Sequence, residues 1–171
     1  MIEQKVMYGL DNIYVAKLNG DRYYTPIRIK GAKSIEAQLD FKTEIKKAGK
    51  RNIRFTNFEG GSGILSVMGL TTDEYNLLFG HSVEKNKVTV TTTDTSPYLA
   101  LMFNKERYDG SKLGYCLYKV IFKPVNIGAR TIENGIATEE NIDVEFDIEH
   151  NDGKIYYMDN CDESFFDSVR I

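Results

Sequence analysis

The sequence predicts a mostly β domain: a sandwich or barrel of short strands with one short flanking α-helix, an extended loop and terminal arms. Three observations carry this. Runs rich in Thr, Tyr, Val, Ile and Phe are separated by Gly and Asn, as in a chain of short strands. Two segments, Ser34 to Phe41 and Asn141 to Glu149, alternate apolar and polar residues with the period of a half-buried strand. Only Thr71 to Gly80 carries helix start and stop signals. At 171 residues the chain fits a single domain, 1–171, with a core of useful size.

In chain order, Asn12 to Leu18 reads as the first strand, and Asn19-Gly20-Asp21 turns it into Arg22 to Lys30. Pro26 interrupts that return and belongs at an edge or bend, because proline cannot donate to a β-ladder. In Ser34 to Phe41, Ile35, Ala37, Leu39 and Phe41 share one face and Ser34, Glu36, Gln38 and Asp40 the other.

Lys42 to Arg54 breaks the pattern. Lys42, Lys46, Lys47, Lys50, Arg51 and Arg54 stand against the single acid Glu44, and Ala48-Gly49 marks the tip of a long excursion. Irregular loops of this size are uncommon unless they have a function. An extended run resumes at Ile53 to Phe58, and Gly60-Gly61-Ser62-Gly63 reads as a flexible turn into the strand Ile64 to Gly69.

The helix has a capping box at Thr71 and Glu74, staple positions at Leu70 and Tyr75, and a terminating Gly80, with about two turns between. Strands follow at Val88 to Thr93, Tyr98 to Asn104 and Leu113 to Phe122. The last of these is apolar on both faces and therefore central: Leu113, Tyr115, Leu117 and Ile121 alternate with Cys116, Tyr118, Val120 and Phe122. A polar connection over 126–140 leads to Asn141 to Glu149. There Ile142, Val144, Phe146 and Ile148 oppose Asp143, Glu145, Asp147 and Glu149. Asn151-Asp152-Gly153 predicts a terminal hairpin with Lys154 to Met158, and residues 160–171, with Phe165 and Phe166 among acids, read as an arm.

Net charge is −3, so no bulk basic character points to nucleic-acid binding. The start, Met1 to Lys5, lacks a signal-peptide pattern, and no apolar run approaches the ~20 residues of a membrane-spanning helix. Cys116 and Cys161 read as two reduced thiols of a protein made in a cytosol.

Chemistry-bearing residues are few. His81, after a helix-ending glycine, and His150, at a turn, read as surface residues without metal-ligand spacing. No nucleophile elbow accompanies them, so no enzyme is expected. Gly60 to Gly63 lacks the Gly-Lys-Ser/Thr of a phosphate loop. The acids at 143, 145, 147 and 149 lack the glycine of a calcium loop, and on a strand alternate residues stand nearly 7 Å apart, which makes a ridge rather than a cage. No metal or cofactor is expected.

Read in order, the chain resembles the major tail proteins of siphophages infecting Gram-positive bacteria. The resemblance runs through Tyr8-Gly9-Leu10-Asp11-Asn12-Ile13-Tyr14-Val15-Ala16, Tyr24-Thr25-Pro26 and Ile29-Lys30-Gly31-Ala32-Lys33-Ser34-Ile35. It continues with Leu70, the short helix and Leu77-Leu78-Phe79-Gly80, then Pro97 to Phe103 and Leu117 to Val120. Thr131, Ile142 to Phe146 and Asp152-Gly153 complete it. The ordered set spans nearly the whole chain, although the basic charge pattern of Lys42 to Arg54 lies outside it.

That resemblance implies a tail-tube fold and a structural virion protein. Hexameric rings would stack into a hollow tube for DNA ejection, assembled in the host cytoplasm, with no membrane involved. The implied partners are further copies of the chain, a tape-measure protein and double-stranded DNA in the lumen, and a tail terminator and baseplate at the ends. Two other readings stay open: a non-polymerising terminator or baseplate hub of the same fold, and a β-sandwich ligand-binding module. Within the tube reading, the long loop after the early strands is expected to reach the neighbouring ring. Glu36 and Asp40, or Asp143, Glu145, Asp147 and Glu149, or both rows, are expected to line the bore. A basic bore would hold DNA through many phosphate contacts, whereas an acidic one releases it.

Overall fold

The computed structural model describes residues 7–132, 134–135 and 139–171. The chain start, Met1 to Val6, and Glu133 and Ile136 to Thr138 within the polar connection lie outside the described residues. The fold is mostly β, as the sequence predicts, and among the described residues there is one short helix and every strand pairing is antiparallel.

Among the described residues nine strands form one sheet. They are β1 (Met7–Asn19), β2 (Arg22–Tyr23), β3 (Ile27–Ile29), β4 (Ala32–Ala48), β5 (Arg51–Val67), and, after two strands outside this sheet, β8 (Tyr98–Arg107), β9 (Lys112–Phe122), β10 (Ile142–Glu149) and β11 (Tyr156–Asn160). The central path runs β2-β1-β8-β9-β10-β5-β4, with β3 also on β1 and β11 also on β9. The remaining pair, β6 (Ser82–Glu84) and β7 (Lys87–Thr89), is a small separate hairpin. The run expected from Val88 to Thr93 is thus shorter, because Asp94 binds the Thr91 backbone amide and hydroxyl and folds the chain into a turn.

The sheet curls so that β1 and β4, far apart along the path, approach within 8 Å between Cα atoms. Inside the curl lies the main core: Ile13, Val15, Leu65, Val67, Leu99, Leu101, Phe122, Val144, Phe146 and Ile148, with Leu78 and Phe79 of the helix. The helix, α1 (Thr72–Phe79), has both halves of its capping box, and Gly80 ends it in the left-handed conformation at φ 71°. Glycine is required there twice over, since a Cβ would also stand 2.3 Å from the Thr95 carbonyl oxygen.

The Gly60 to Gly63 run is not a turn. It lies inside β5, where Gly61 and Gly63 pair with Ile148 and Phe146. A Cβ on Gly63 would lie 2.2 Å from the Phe146 ring and 2.4 Å from the Glu36 carbonyl oxygen, so the glycine makes room for a core aromatic. Gly60, at φ 106°, sits where the register with β4 shifts between Leu39 and Phe41.

β9 is central and buried on both faces. Its alternation changes phase midway: β8 residues Leu99 and Leu101 pair with Val120 and Leu117, so β9 carries one extra residue. Leu117, Val120 and Phe122 therefore share the main core, and Ile121 is displaced from the face the sequence assigns to it.

Two further expectations are corrected at the C-terminus. β11 does not form a hairpin with β10; only Asn151 and Lys154 bridge. Both edges of β10 are already taken by β5 and β9, so β11 pairs with the half of β9 that β10 leaves open. The expected arm also folds back on the sheet. Phe165 and Val169 pack with Ala16, Ala100, Met102, Cys116 and Tyr118 into a second core on the outer face. Gly114 supplies the notch for Phe165, where a Cβ would stand 2.3 Å from the ring. The gain is about 1.5–3 kcal/mol for each large apolar side chain so buried.

Candidate functional site

Strand register decides where the charged residues lie. On β4-β5-β10 the pairs Glu36↔Ile64 and Glu145↔Ile64 align, as do Gln38↔Ser62 and Asp147↔Ser62, and Ser34↔Ser66 and Asp143↔Ser66. The two acid rows that the sequence treats as alternatives therefore share one face of one sheet. Only β5 separates them, with Ser62, Ile64 and Ser66 between, so the rows stand roughly 10 Å apart, two inter-strand spacings. Behind this face Val144, Phe146 and Ile148 are fully buried in the core. An open polar trough lined by Glu36, Gln38, Ser62, Lys123 and Glu145 runs between the rows.

The rows are partly neutralised by lysines that sequence reasoning did not bring to them. Lys123 pairs with Asp147 at 3.1 Å and Lys119 with Glu149 at 3.2 Å, the latter ammonium also lying 4.2 Å from the Tyr98 ring centroid. β9 sets Lys119 opposite Glu149, and Lys123, just past the end of that strand, is held beside β10 by its amide, which donates to the Glu145 carbonyl at 2.8 Å. Glu36, Asp40, Asp143 and Glu145 have no ion pair among the described residues, so the face keeps an acidic excess.

The basic segment is the outer part of the β4–β5 hairpin. It is regular rather than irregular: pairing continues from Phe41↔Phe58 to Ala48↔Arg51, with Gly49 at φ 65° in the turn. Alternation distributes its charges. Lys42, Lys46 and Arg51 lie on the face that continues the acid rows, Lys47 and Arg54 on the face that continues the core, and Lys50 is at the tip.

Apolar residues accompany the cations on both faces and find little cover. Phe41 is 53% exposed, Ile45 58%, Ile53 44% and Phe55 46%. Phe41 and Phe58 touch with centroids 5.5 Å apart, and the Lys46 ammonium lies 5.7 Å from the Phe55 centroid. Apart from Lys42 with Glu44 at 3.8 Å, the hairpin cations have no ion pair among the described residues. A strand pair with exposed Phe and Ile on both sides has no core of its own to fill.

The histidine readings divide. His150 is on the surface, its Nδ1 accepting from the Gly153 amide at 3.1 Å. His81 is not: it is 3% exposed, packed against Phe79 and Tyr75, with Nδ1 2.7 Å from Asp94 Oδ2. Hydrogen bonds from the Thr91 hydroxyl and amide, then from His81, pull the Asp94 carboxyl down to about 2. The pair clamps the turn after β7 to the end of α1, where Asn76 Nδ2 donates to the His81 carbonyl. The spacing Thr91-x-x-Asp94, a local side-chain turn, is the sequence signal that points to this carboxylate.

Among the described residues no three His, Cys, Asp or Glu side chains converge as a metal-binding group. Cys116 and Cys161 are free thiols, and burial pushes Cys116 up to about 12. Tyr23, also raised to about 12 by burial, donates to the Tyr118 carbonyl at 2.7 Å and accepts from Asn151 Nδ2 at 2.8 Å. These groups bind elements together rather than present chemistry to solvent.

No family model and no curated protein matches this chain. Among solved structures it is similar to the tube-terminating cap of the anti-feeding prophage, determined by cryo-electron microscopy. Sequence identity is 9% and the TM-score 0.47, over 87% of this chain and 88% of that one.

Proposed function

We propose that this chain is a tail-tube subunit of a phage-type tail, a structural protein that forms stacked rings around a DNA-conducting lumen. The observation that carries the reading is the gathering of both acid rows on one sheet face, next to a basic, apolar hairpin that lies outside the core. A tube subunit needs both: a surface that does not trap DNA and a projection that joins copies. The ordered sequence resemblance over nearly the whole chain supports the same reading.

In this reading Glu36, Asp40, Asp143, Glu145, Asp147 and Glu149 line the bore. Each phosphate neutralised by a lysine or arginine adds binding through counterion release, so an acidic bore avoids a summed retention of DNA. Water and mobile cations screen the repulsion over roughly 8–10 Å. Lys42, Lys46, Lys47, Lys50, Arg51 and Arg54 act between rings, where salt weakens them. Among the described residues the 17-residue β4 ends the sheet path with one edge outside any strand pairing, and a neighbour in the ring would cover it. The subunit works without metal or cofactor, inside a virion tail assembled in the host cytoplasm. A tape-measure protein and DNA occupy the lumen, and a terminator and baseplate close the ends.

Negative-stain electron microscopy of the purified protein, over a concentration series and at low and high salt, tests this. Rings and tubes that shorten with salt are expected. Single rings that never extend would instead assign the chain to a terminator or hub. A monomer at every concentration, with a ligand bound, would replace the reading by that of a β-sandwich binding module.

A further inference from the structure

We infer that the open edge of β11, with the apolar groove beside it, is a docking site for an extended segment of a partner protein that carries apolar residues and one acid on the same face. The groove lies where β4, β8, β9 and β11 meet. It is lined by Leu39 of β4, by Phe103 and Tyr115, whose rings stack with centroids 5.1 Å apart, and by Tyr156 of β11. Met158, two residues further along β11, continues the same face. Tyr156 is 42% and Met158 53% exposed, so the apolar surface runs from the groove out along the strand.

Backbone and charge together define the occupant. β11 pairs with β9 along one edge, from Tyr156↔Leu117 to Asn160↔Leu113, and its other edge enters no strand pairing among the described residues. The main-chain groups of such an edge are met most fully by a further strand. β10 cannot supply it, because both its edges are taken. Lys105 is the one charged side chain that lines the groove among the described residues. It is half-buried, with its ammonium 5.6 Å from the Tyr115 ring centroid, and it has no ion pair among the described residues. A carboxylate that reached it would make a charge-assisted hydrogen bond partly shielded from water.

Size points the same way. The groove has a volume of about 250 Å³. Pockets for drug-sized molecules run to roughly 300–1,000 Å³, so this one suits a few side chains of a peptide better than a whole small molecule. On a strand, side chains of one face come from alternate residues, nearly 7 Å apart. Main-chain bonds to β11 give the segment its hold, and the groove and Lys105 select its side chains.

Two fluorescein-labelled peptides test the site, Thr-Val-Thr-Leu-Thr-Glu-Thr and its reverse Thr-Glu-Thr-Leu-Thr-Val-Thr, which cover both strand directions. One of them should bind the purified protein with a dissociation constant below about 1 mM by fluorescence anisotropy. Lys105→Gln and Met158→Asp should each weaken it by about ten-fold or more. Circular dichroism melting checks that both variants are folded. N-methylation of the peptide at Val, Leu and Glu, or instead at the inner Thr residues, should abolish binding in one case only, because a strand on an open edge uses alternate amides. A benzophenone in place of Leu should cross-link to β11 or to the root of β4. Failure of both peptides to bind at about 1 mM, equal affinity for parent and variants, or cross-links confined to other strands overturns the inference. The tube reading, which makes no use of β11, is untouched by that outcome.

Discussion

Phe146 of β10 lies directly across from Gly63 of β5, and its ring occupies the space that any side chain on Gly63 would need. Gly63→Ala is expected to destabilise the fold by about 1–3 kcal/mol, the usual cost of overpacking, since the Glu36 backbone blocks the other side. Gly69→Ala, with nothing within 4 Å of its Cβ, should stay within about 0.5 kcal/mol. Urea unfolding midpoints of the two variants give the comparison, and equal midpoints would contradict the packing described.

Removal of the Phe165 ring should release the C-terminal cap. The ring is fully buried in the second core, so Phe165→Ala is expected to cost about 3–5 kcal/mol. Limited proteolysis should then cut within residues 161–171 before it cuts the sheet. Cleavage at the rate of the parent protein would mean that the cap is held by something other than Phe165.

The Asp94 clamp gives an acid-dependent contribution. Its folded pKa, about 2, is below the ordinary 3.8, so its stabilising effect is complete above about pH 4. It is lost as the pH falls through about 2. Asp94→Asn should therefore lower stability near neutrality and flatten the loss between pH 3.8 and about 2. Chemical denaturation at a series of pH values reads this out, and an acid limb of unchanged slope would assign it to other carboxylates.

Because the hairpin is regular, its tip can be removed without a register change. Ile45 pairs with Arg54, so replacing Lys46 to Ile53 by Asn-Gly closes a two-residue turn at that pair. The shortened protein should melt within a few degrees of the parent and form no long tubes. Long tubes of normal appearance would exclude the hairpin from ring-to-ring contact.

Lysine at Asp143, Glu145 and Asp147 should act on DNA passage rather than on folding, since these side chains point away from the core. Tubes are expected to assemble, with genome ejection slowed and the slowing relieved by added salt. Ejection at the parent rate from intact tails would place the row outside the bore.

Local chemistry was enough to define much of this protein. The capping box at Thr71 and Glu74, the stop at Gly80 and the alternation of Ile142 to Glu149 depend only on neighbours in sequence, and the structure keeps all three. The acid rows are legible in the same way, because charge patterning on a strand is a period-two signal; the basic segment breaks that pattern and reads as an irregular loop, whereas its backbone is paired strand. What the sequence could not say is which strands are neighbours. Only the order β10-β5-β4 makes Glu36 and Glu145 members of one surface, and only that pairing makes Gly63 a packing site rather than a turn. Only the occupied edges of β10 send β11 to β9, and only the notch at Gly114 draws Phe165 and the expected arm onto the sheet. Burial of His81 against Asp94 likewise joins residues thirteen positions apart. Each of these rests on non-local hydrogen bonding and close packing, which the whole chain fixes together and no local pattern encodes.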